Sequence, residues 1–147
     1  MEYTASVRSS FGTHQVEVTA GGSHRTLDVP AREGAPGSAV SGGELLFLAL
    51  ATCAINDVYR EAAARSLPVT AVDVQVSGWF DAPGAPARDV SYRVAVVSPA
   101  PEEDVRALVA HVDAIAEVHG TLRGGVEVRL DEVRVSTPAD EASGAQS

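Results

Sequence analysis

The chain has 147 residues, 45% of them apolar and 5% aromatic, with a formal net charge of -9. That is the size and composition of one globular domain, and it excludes a collagen-like or wholly disordered chain. All of its 11 basic residues are arginine, set against 20 acidic ones, so no basic face exists for nucleic acid and an anionic membrane surface would repel it.

The first residues read as strands. Tyr3, Ala5 and Val7 alternate with polar neighbours, Phe11-Gly12-Thr13 turns the chain, and Val16 and Val18 alternate again. Gly21-Gly22-Ser23 is a hairpin signal, and Thr26–Val29 forms a short third strand stopped by Pro30. Residues 31–43 are small and Pro/Gly-punctuated, a loop. Ser41-Gly42-Gly43-Glu44 then has the form of a capping box. It opens a helix from Glu44 to about Ser66, closed by Pro68. Leu45 to Ile55 places apolar side chains on every face of the first half of this helix, whereas Asp57, Arg60, Glu61 and Arg65 turn the second half toward water. A helix apolar all round must be buried all round. The few strands of so short a chain cannot wrap it alone, so a homodimer is expected.

Val72, Val74 and Val76 alternate into Trp79, Pro83-Gly84-Ala85-Pro86 turns, and Val90, Tyr92, Val94 and Val96 return. Glu102-Glu103-Asp104 suits the N-terminus of a second helix. The apolar stripe of that helix runs through Val105, Leu108, Val109, Val112, Ile115 and Ala116 until Gly120, Gly124 and Gly125 end it. Val126, Val128 and Leu130, then Val133 and Val135 after a shift of phase, predict a bulged last strand. From Pro138 onward the residues are small and polar, a disordered tail. The whole is α+β: antiparallel sheets around a long buried helix, one domain over residues 1–137 and a tail over 138–147. No apolar run reaches the roughly 20 residues of a bilayer span. The opening Met1-Glu2-Tyr3-Thr4 is not a secretory leader, so a cytoplasmic protein is expected.

Chemistry centres on Cys53, the single cysteine. It can form no intrachain disulfide and no cysteine-based zinc site, and the four histidines lack metal-ligand spacing, so neither metal nor cofactor is expected. Among Leu and Ala, Cys53 reads as a small hydrophobe. It also lies about nine residues past the helix start, beyond reach of the helix dipole, so activating its thiol needs an Arg or His from elsewhere. Glu44 reads as the third helical residue of the capping box. His119 reads as a cap for the last carbonyls of the second helix or as a substrate contact, and Trp79 and Phe80 as core or interface aromatics.

The segment Ser41-Gly-Gly-Glu-Leu-Leu-Phe-Leu-Ala-Leu-Ala-Thr-Cys53 resembles the first motif of the OsmC/Ohr family, whose helix carries a peroxidatic cysteine. Val118-His119-Gly120-Thr121-Leu122, followed by a final strand, resembles its second motif. The resemblance spans residues 3–136. It implies an intertwined homodimer with sites at the interface and thiol-dependent reduction of organic hydroperoxides. Cys53 and Glu44 would be catalytic, and Phe47 and His119 would line the substrate pocket. The sequence departs from the family at two places: Ala116 and Glu117 stand where the second motif has its cysteine and proline, and Gly43 where typical members carry a glutamate. No arginine matches the family's thiolate partner; Arg8, Arg25 and Arg32 lie in the right region. The reading is a one-cysteine peroxidase regenerated by an external thiol. The alternative is the same fold binding a small apolar ligand, or serving another reaction, in the interfacial pocket.

Overall fold

The computed structural model describes residues 1–138, so the expected tail lies, except for Pro138, outside the described residues. The first two strands form as their alternation predicts, while the third begins at the turn and ends at Leu27 where the sequence predicts Thr26–Val29: β1 (Tyr3–Ser10), β2 (Thr13–Ala20) and β3 (Ser23–Leu27) make an antiparallel sheet in the order β1-β2-β3. Tyr3 faces Ala20, Ala5 faces Val18 and Val7 faces Val16, which in turn faces Leu27. Because side chains alternate across a strand, this register gathers the apolar residues on one face. Only Val16 is buried there, and β1 and β3 are exposed along their whole length.

Helix α1 (Gly42–Ala64) starts at the predicted cap. The Ser41 hydroxyl accepts from the Glu44 amide, and the Glu44 carboxylate accepts from the Ser41 amide. After Ser66 turns into a left-handed conformation (φ 51°), the chain enters β4 (Ala71–Trp79) and β5 (Arg88–Val97), an antiparallel pair. Val72 faces Val96, Val74 faces Val94 and Val76 faces Tyr92, and the register slips between Ser77 and Trp79. β4 packs on α1, and α2 (Glu102–Ile115) and α3 (Glu117–Gly124) pack on it from another side. The core lies between α1 and α2: Val58, Ala62, Leu108 and Val112, flanked by Leu67, Val69 and Val72.

Three expectations are corrected. The second helix breaks at Ala116, which adopts an extended conformation (ψ 119°), and Gly120 lies inside α3 rather than ending anything. Residues 126–135 form no strand, and their alternating apolar side chains stand in the open, with Val128 94% and Leu130 83% exposed. A strand needs an edge to pair with, and among the described residues this segment meets none. Leu45 and Leu48 of α1 are exposed in the single chain, which does not wrap the helix alone. Asp57, read as facing water, is instead only 3% exposed.

Candidate functional site

Cys53 sits half-buried near the middle of α1. One helical turn on, at the i+4 position where side chains stack on one face, lies Asp57. The Cys53 thiol donates to Asp57 Oδ2 at 3.8 Å, and Arg60 Nη1 meets Asp57 Oδ1 at 2.7 Å. Arg60 also leans on Glu61, which His111 reaches at 3.2 Å. So the buried carboxylate has one oxygen on the sulfur and the other on a half-exposed guanidinium. Burying a carboxylate is costly unless it is paired and hydrogen-bonded, and these two contacts supply both requirements. The group facing the thiol is therefore an acceptor, where an activated thiol ordinarily faces a cation.

Glu44 is nine residues upstream, roughly 13 Å along a helix rising 1.5 Å per residue. Its carboxyl is held below the usual range, first by the Ser41 amide and then by the Ser41 hydroxyl. The structure thus places Glu44 as a cap and does not bring it to Cys53. Arg8 lies on the N-terminal sheet beside Gln15 and Glu17.

Phe47 and His119, by contrast, come together. Both line a cavity of about 500 Å³ between α1, the hairpin and α3, with Leu46, Leu50, Val76 and Leu122 as apolar wall and Arg88, Tyr92 and Arg123 as polar wall. Cys53 is not among its lining residues. Two glycines shape one side. A Cβ at Gly78 would fall 2.8 Å from the Phe47 ring and 3.1 Å from the Val90 side chain, and one at Gly43 would fall 2.8 Å from the Phe80 ring. Phe47 and Phe80 stack with centroids 5.8 Å apart, so each ring of the pair rests where a glycine leaves room.

His119 is 3% exposed, and neither ring nitrogen has a hydrogen-bond partner. The expectation that it caps the last carbonyls of the second helix is therefore overturned. Its ring meets Tyr92 edge-on at 4.8 Å. Such an orphaned buried group costs about 1–3 kcal/mol. Burial holds its pKa below the usual histidine value, reinforced by the Arg123 charge and opposed by Asp113 and Asp57. Beside it Asp113 accepts from the Tyr92 hydroxyl and from Arg123 Nη2 at 2.7 Å, while Arg123 Nη1 donates to the Asp113 carbonyl at 2.9 Å. These contacts hold the Asp113 carboxyl below its normal pKa, Tyr92 first and Arg123 second, and burial followed by Asp113 pushes the Tyr92 phenol up to about 12. The network ties α3 back to α2 and fixes His119 against the cavity.

Sequence reasoning missed Asp57, although its spacing of four from Cys53 was a usable signal. It also missed the Asp113–Tyr92–Arg123 network, which joins three separate elements and has no local signature. Among the described residues no group of three or more His, Cys, Asp or Glu is placed to hold a metal ion, and no helix is long and apolar enough to cross a membrane.

This architecture, two antiparallel sheets with a long helix carrying a lone thiol, is that of the OsmC-like proteins. The family model described as "OsmC-like protein" matches residues 35–131, and the chain belongs to that family. Among solved structures it is similar to an OsmC-like protein from Mycoplasma pneumoniae (18% identity, TM-score 0.60, covering 85% of this chain and 91% of that one). It is also similar to an OsmC-like hydroperoxide resistance protein from Jannaschia sp. (17%, 0.53, 90% and 90%) and to an OsmC-like protein of unknown function from Vibrio cholerae (15%, 0.56, 82% and 93%). At these identities the likeness shows the fold alone. No curated protein matches the chain in sequence.

Proposed function

We propose that this chain is a one-cysteine, OsmC-type thiol peroxidase that acts as a homodimer on organic hydroperoxides and is regenerated by an external thiol. The observation that carries the reading is Cys53: a half-buried thiol mid-helix, in the OsmC-like frame, with a buried carboxylate already at its sulfur. In the reaction the sulfur attacks one peroxide oxygen. An S–O bond forms as the O–O bond breaks, the alkoxide leaves as an alcohol, and Cys53 becomes a sulfenic acid. Asp57 is positioned to take the thiol proton and to return it to the departing alkoxide, the part of a general acid–base. One external thiol then forms a mixed disulfide and releases water; a second restores Cys53 and leaves as the oxidised disulfide.

The surface supports the dimer. Large apolar side chains stand exposed in the single chain: Tyr3 and Val7 on the free sheet, Leu45 and Leu48 on α1, and the alternating series from Val126 to Val135. Contiguous exposed apolar surface of this kind marks an interaction site. In such a dimer the sheet that carries Arg8 and Arg25 would come from one copy to cover α1 of the other, which offers Cys53 a cation its own chain does not place there. We further propose that the protein is cytoplasmic.

Mass spectrometry after a stoichiometric dose of cumene hydroperoxide, with a sulfenic-acid trap, tests the reading. One adduct on Cys53 is the expected result, with none in Cys53→Ser. An unmodified thiol after prolonged exposure of folded dimer overturns it.

One observation favours a second reading, in which the fold binds a small apolar ligand without peroxidase chemistry. The cavity that holds Phe47 and His119 does not include Cys53 in its lining, so a ligand can occupy it without touching the thiol.

A further inference from the structure

The consecutive residues Ala87, Arg88, Asp89, Val90, Ser91 and Tyr92 all line the cavity of about 500 Å³. In a regular strand only alternate residues share a face. The register slip accounts for the difference: between the pairs Ser77–Ser91 and Trp79–Arg88, both Asp89 and Val90 of β5 stand opposite the single Gly78 of β4. Asp89 takes a left-handed backbone there (φ 52°), which residues other than glycine adopt at a cost. A bulge of this kind re-aims side chains, and here it brings Arg88 and Asp89 to the cavity wall together.

Arg88 is nonetheless withheld from an occupant. Its Nε and Nη2 donate to the two oxygens of Asp81 at 2.7 and 2.8 Å, its Nη1 donates to Asp89, and its guanidinium lies over Trp79, 5.7 Å from the ring centroid. Asp81 is not among the lining residues, so the fork of the guanidinium that fits a carboxylate is engaged outside the cavity. The other arginine of the wall, Arg123, gives both terminal nitrogens to Asp113. Both nitrogens of His119 are buried and reach no occupant. Ser91 offers a hydroxyl, which serves a neutral head and an anion alike. A carboxylate entering the cavity would thus lose its water beside Asp89 and find no uncommitted cation in the lining, on a chain of net charge -9.

We propose that Asp81 and Asp89 are specificity-determining residues: by engaging Arg88 they make the cavity select uncharged organic molecules and reject carboxylates of the same shape. The proposal rests on the ligand-binding reading, deepens it, and does not involve Cys53.

The probes 4-propylbenzamide and 4-propylbenzoate share one shape and differ in charge at about pH 7.5, where the acid is ionised. Titrated calorimetrically into the full-length protein, the amide should bind and the benzoate should bind at least about tenfold more weakly, because it is desolvated without a partner. Asp81→Ala releases the fork of Arg88 and should strengthen benzoate binding about tenfold while leaving the amide unchanged. The Asp81 side chain is exposed, so its removal leaves the fold intact. Adding Arg88→Met to Asp81→Ala restores the wild-type net charge and should abolish the gain. Benzoate binding at least as tightly as the amide in wild type overturns the proposal. So does an Asp81→Ala variant that gains nothing for benzoate or gains equally for both probes, and so does a gain that survives Arg88→Met. Failure of both probes to bind in wild type and in either variant removes the ligand-binding reading along with it.

Discussion

In β1–β3 the apolar residues Tyr3, Ala5 and Val7 of β1 lie open and only Val16 of their partner strand is buried, whereas in β4–β5 the row of Val72, Val74 and Val76 is half-buried beneath α1. The two sheets are written in the same alternating code, and both form with their apolar residues facing one another across the strands. What differs is the cover. The second sheet lies against a helix of its own chain; the first has no substantial packing partner among the described residues. Alternation specifies which face must be covered and says nothing about which molecule covers it. The same holds for residues 126–135, whose apolar series has the right period and no edge to join.

This contrast can be broken experimentally, and the largest effect should come from the uncovered side. Leu48 is 59% exposed in the single chain, where a charged replacement would cost no more than about 0.5 kcal/mol. If a second copy covers α1, Leu48→Glu buries an unpaired charge and should dissociate the dimer and lower the melting temperature by more than about 10 °C. Sedimentation and melting curves identical to wild type would show that α1 needs no second cover.

On the covered side Leu108 is 1% exposed, at the centre of the α1–α2 core. Leu108→Ala should cost about 2–5 kcal/mol in denaturant unfolding. A loss below about 1 kcal/mol would mean that the helical half is as loosely held as the free sheet. Ser41→Ala should cost about 0.5–2 kcal/mol by removing the hydroxyl of the capping box. A null result there would place the stability of α1 in its packing alone.

The smallest effect is a pH dependence. Burial lowers the His119 pKa in the folded state, so the unfolded chain binds the proton more readily. The stability held by the neutral ring is complete above the unfolded value of about 6.5 and is lost as pH falls from there toward the folded value. Asp57, Asp113, Tyr92 and Arg123 all bear on this ring, but the lowered pKa of Asp113 places its own loss in a separate window, below 3.8. Wild type should therefore lose a little stability as pH falls below about 6.5, and His119→Phe should flatten that slope. An unchanged slope in the variant would assign it to another group.

Much of the frame was legible because its signals are local. Ser41 and Glu44 cap each other across three residues, Gly21-Gly22 turns a hairpin, and Val72 to Val76 alternate without interruption. The candidate site was legible only in part. That Phe47 and His119 share a pocket was implied by the family resemblance that their two local motifs carry, and both line one cavity. The break at Ala116 could not be seen, because the glycines further on offered a stronger stop signal; α3 runs through Gly120 and ends at Gly124, capped by the left-handed Gly125. Asp57 was misread for a similar reason: a charged residue on the polar half of an amphipathic helix reads as solvated, and nothing in the neighbouring sequence says that packing will cover it.

The stacked rings on their two glycines tie four positions of the chain into one unit of change. A side chain cannot arise at Gly43 while Phe80 keeps its place, nor at Gly78 while Phe47 keeps its own, and neither ring can move without unstacking the other. A side chain at either glycine therefore needs a second change at the ring it meets. Relatives that carry a glutamate at the position of Gly43 should therefore lack a large ring at the position of Phe80. Exchanging the two positions together should be tolerated where exchanging either alone is not.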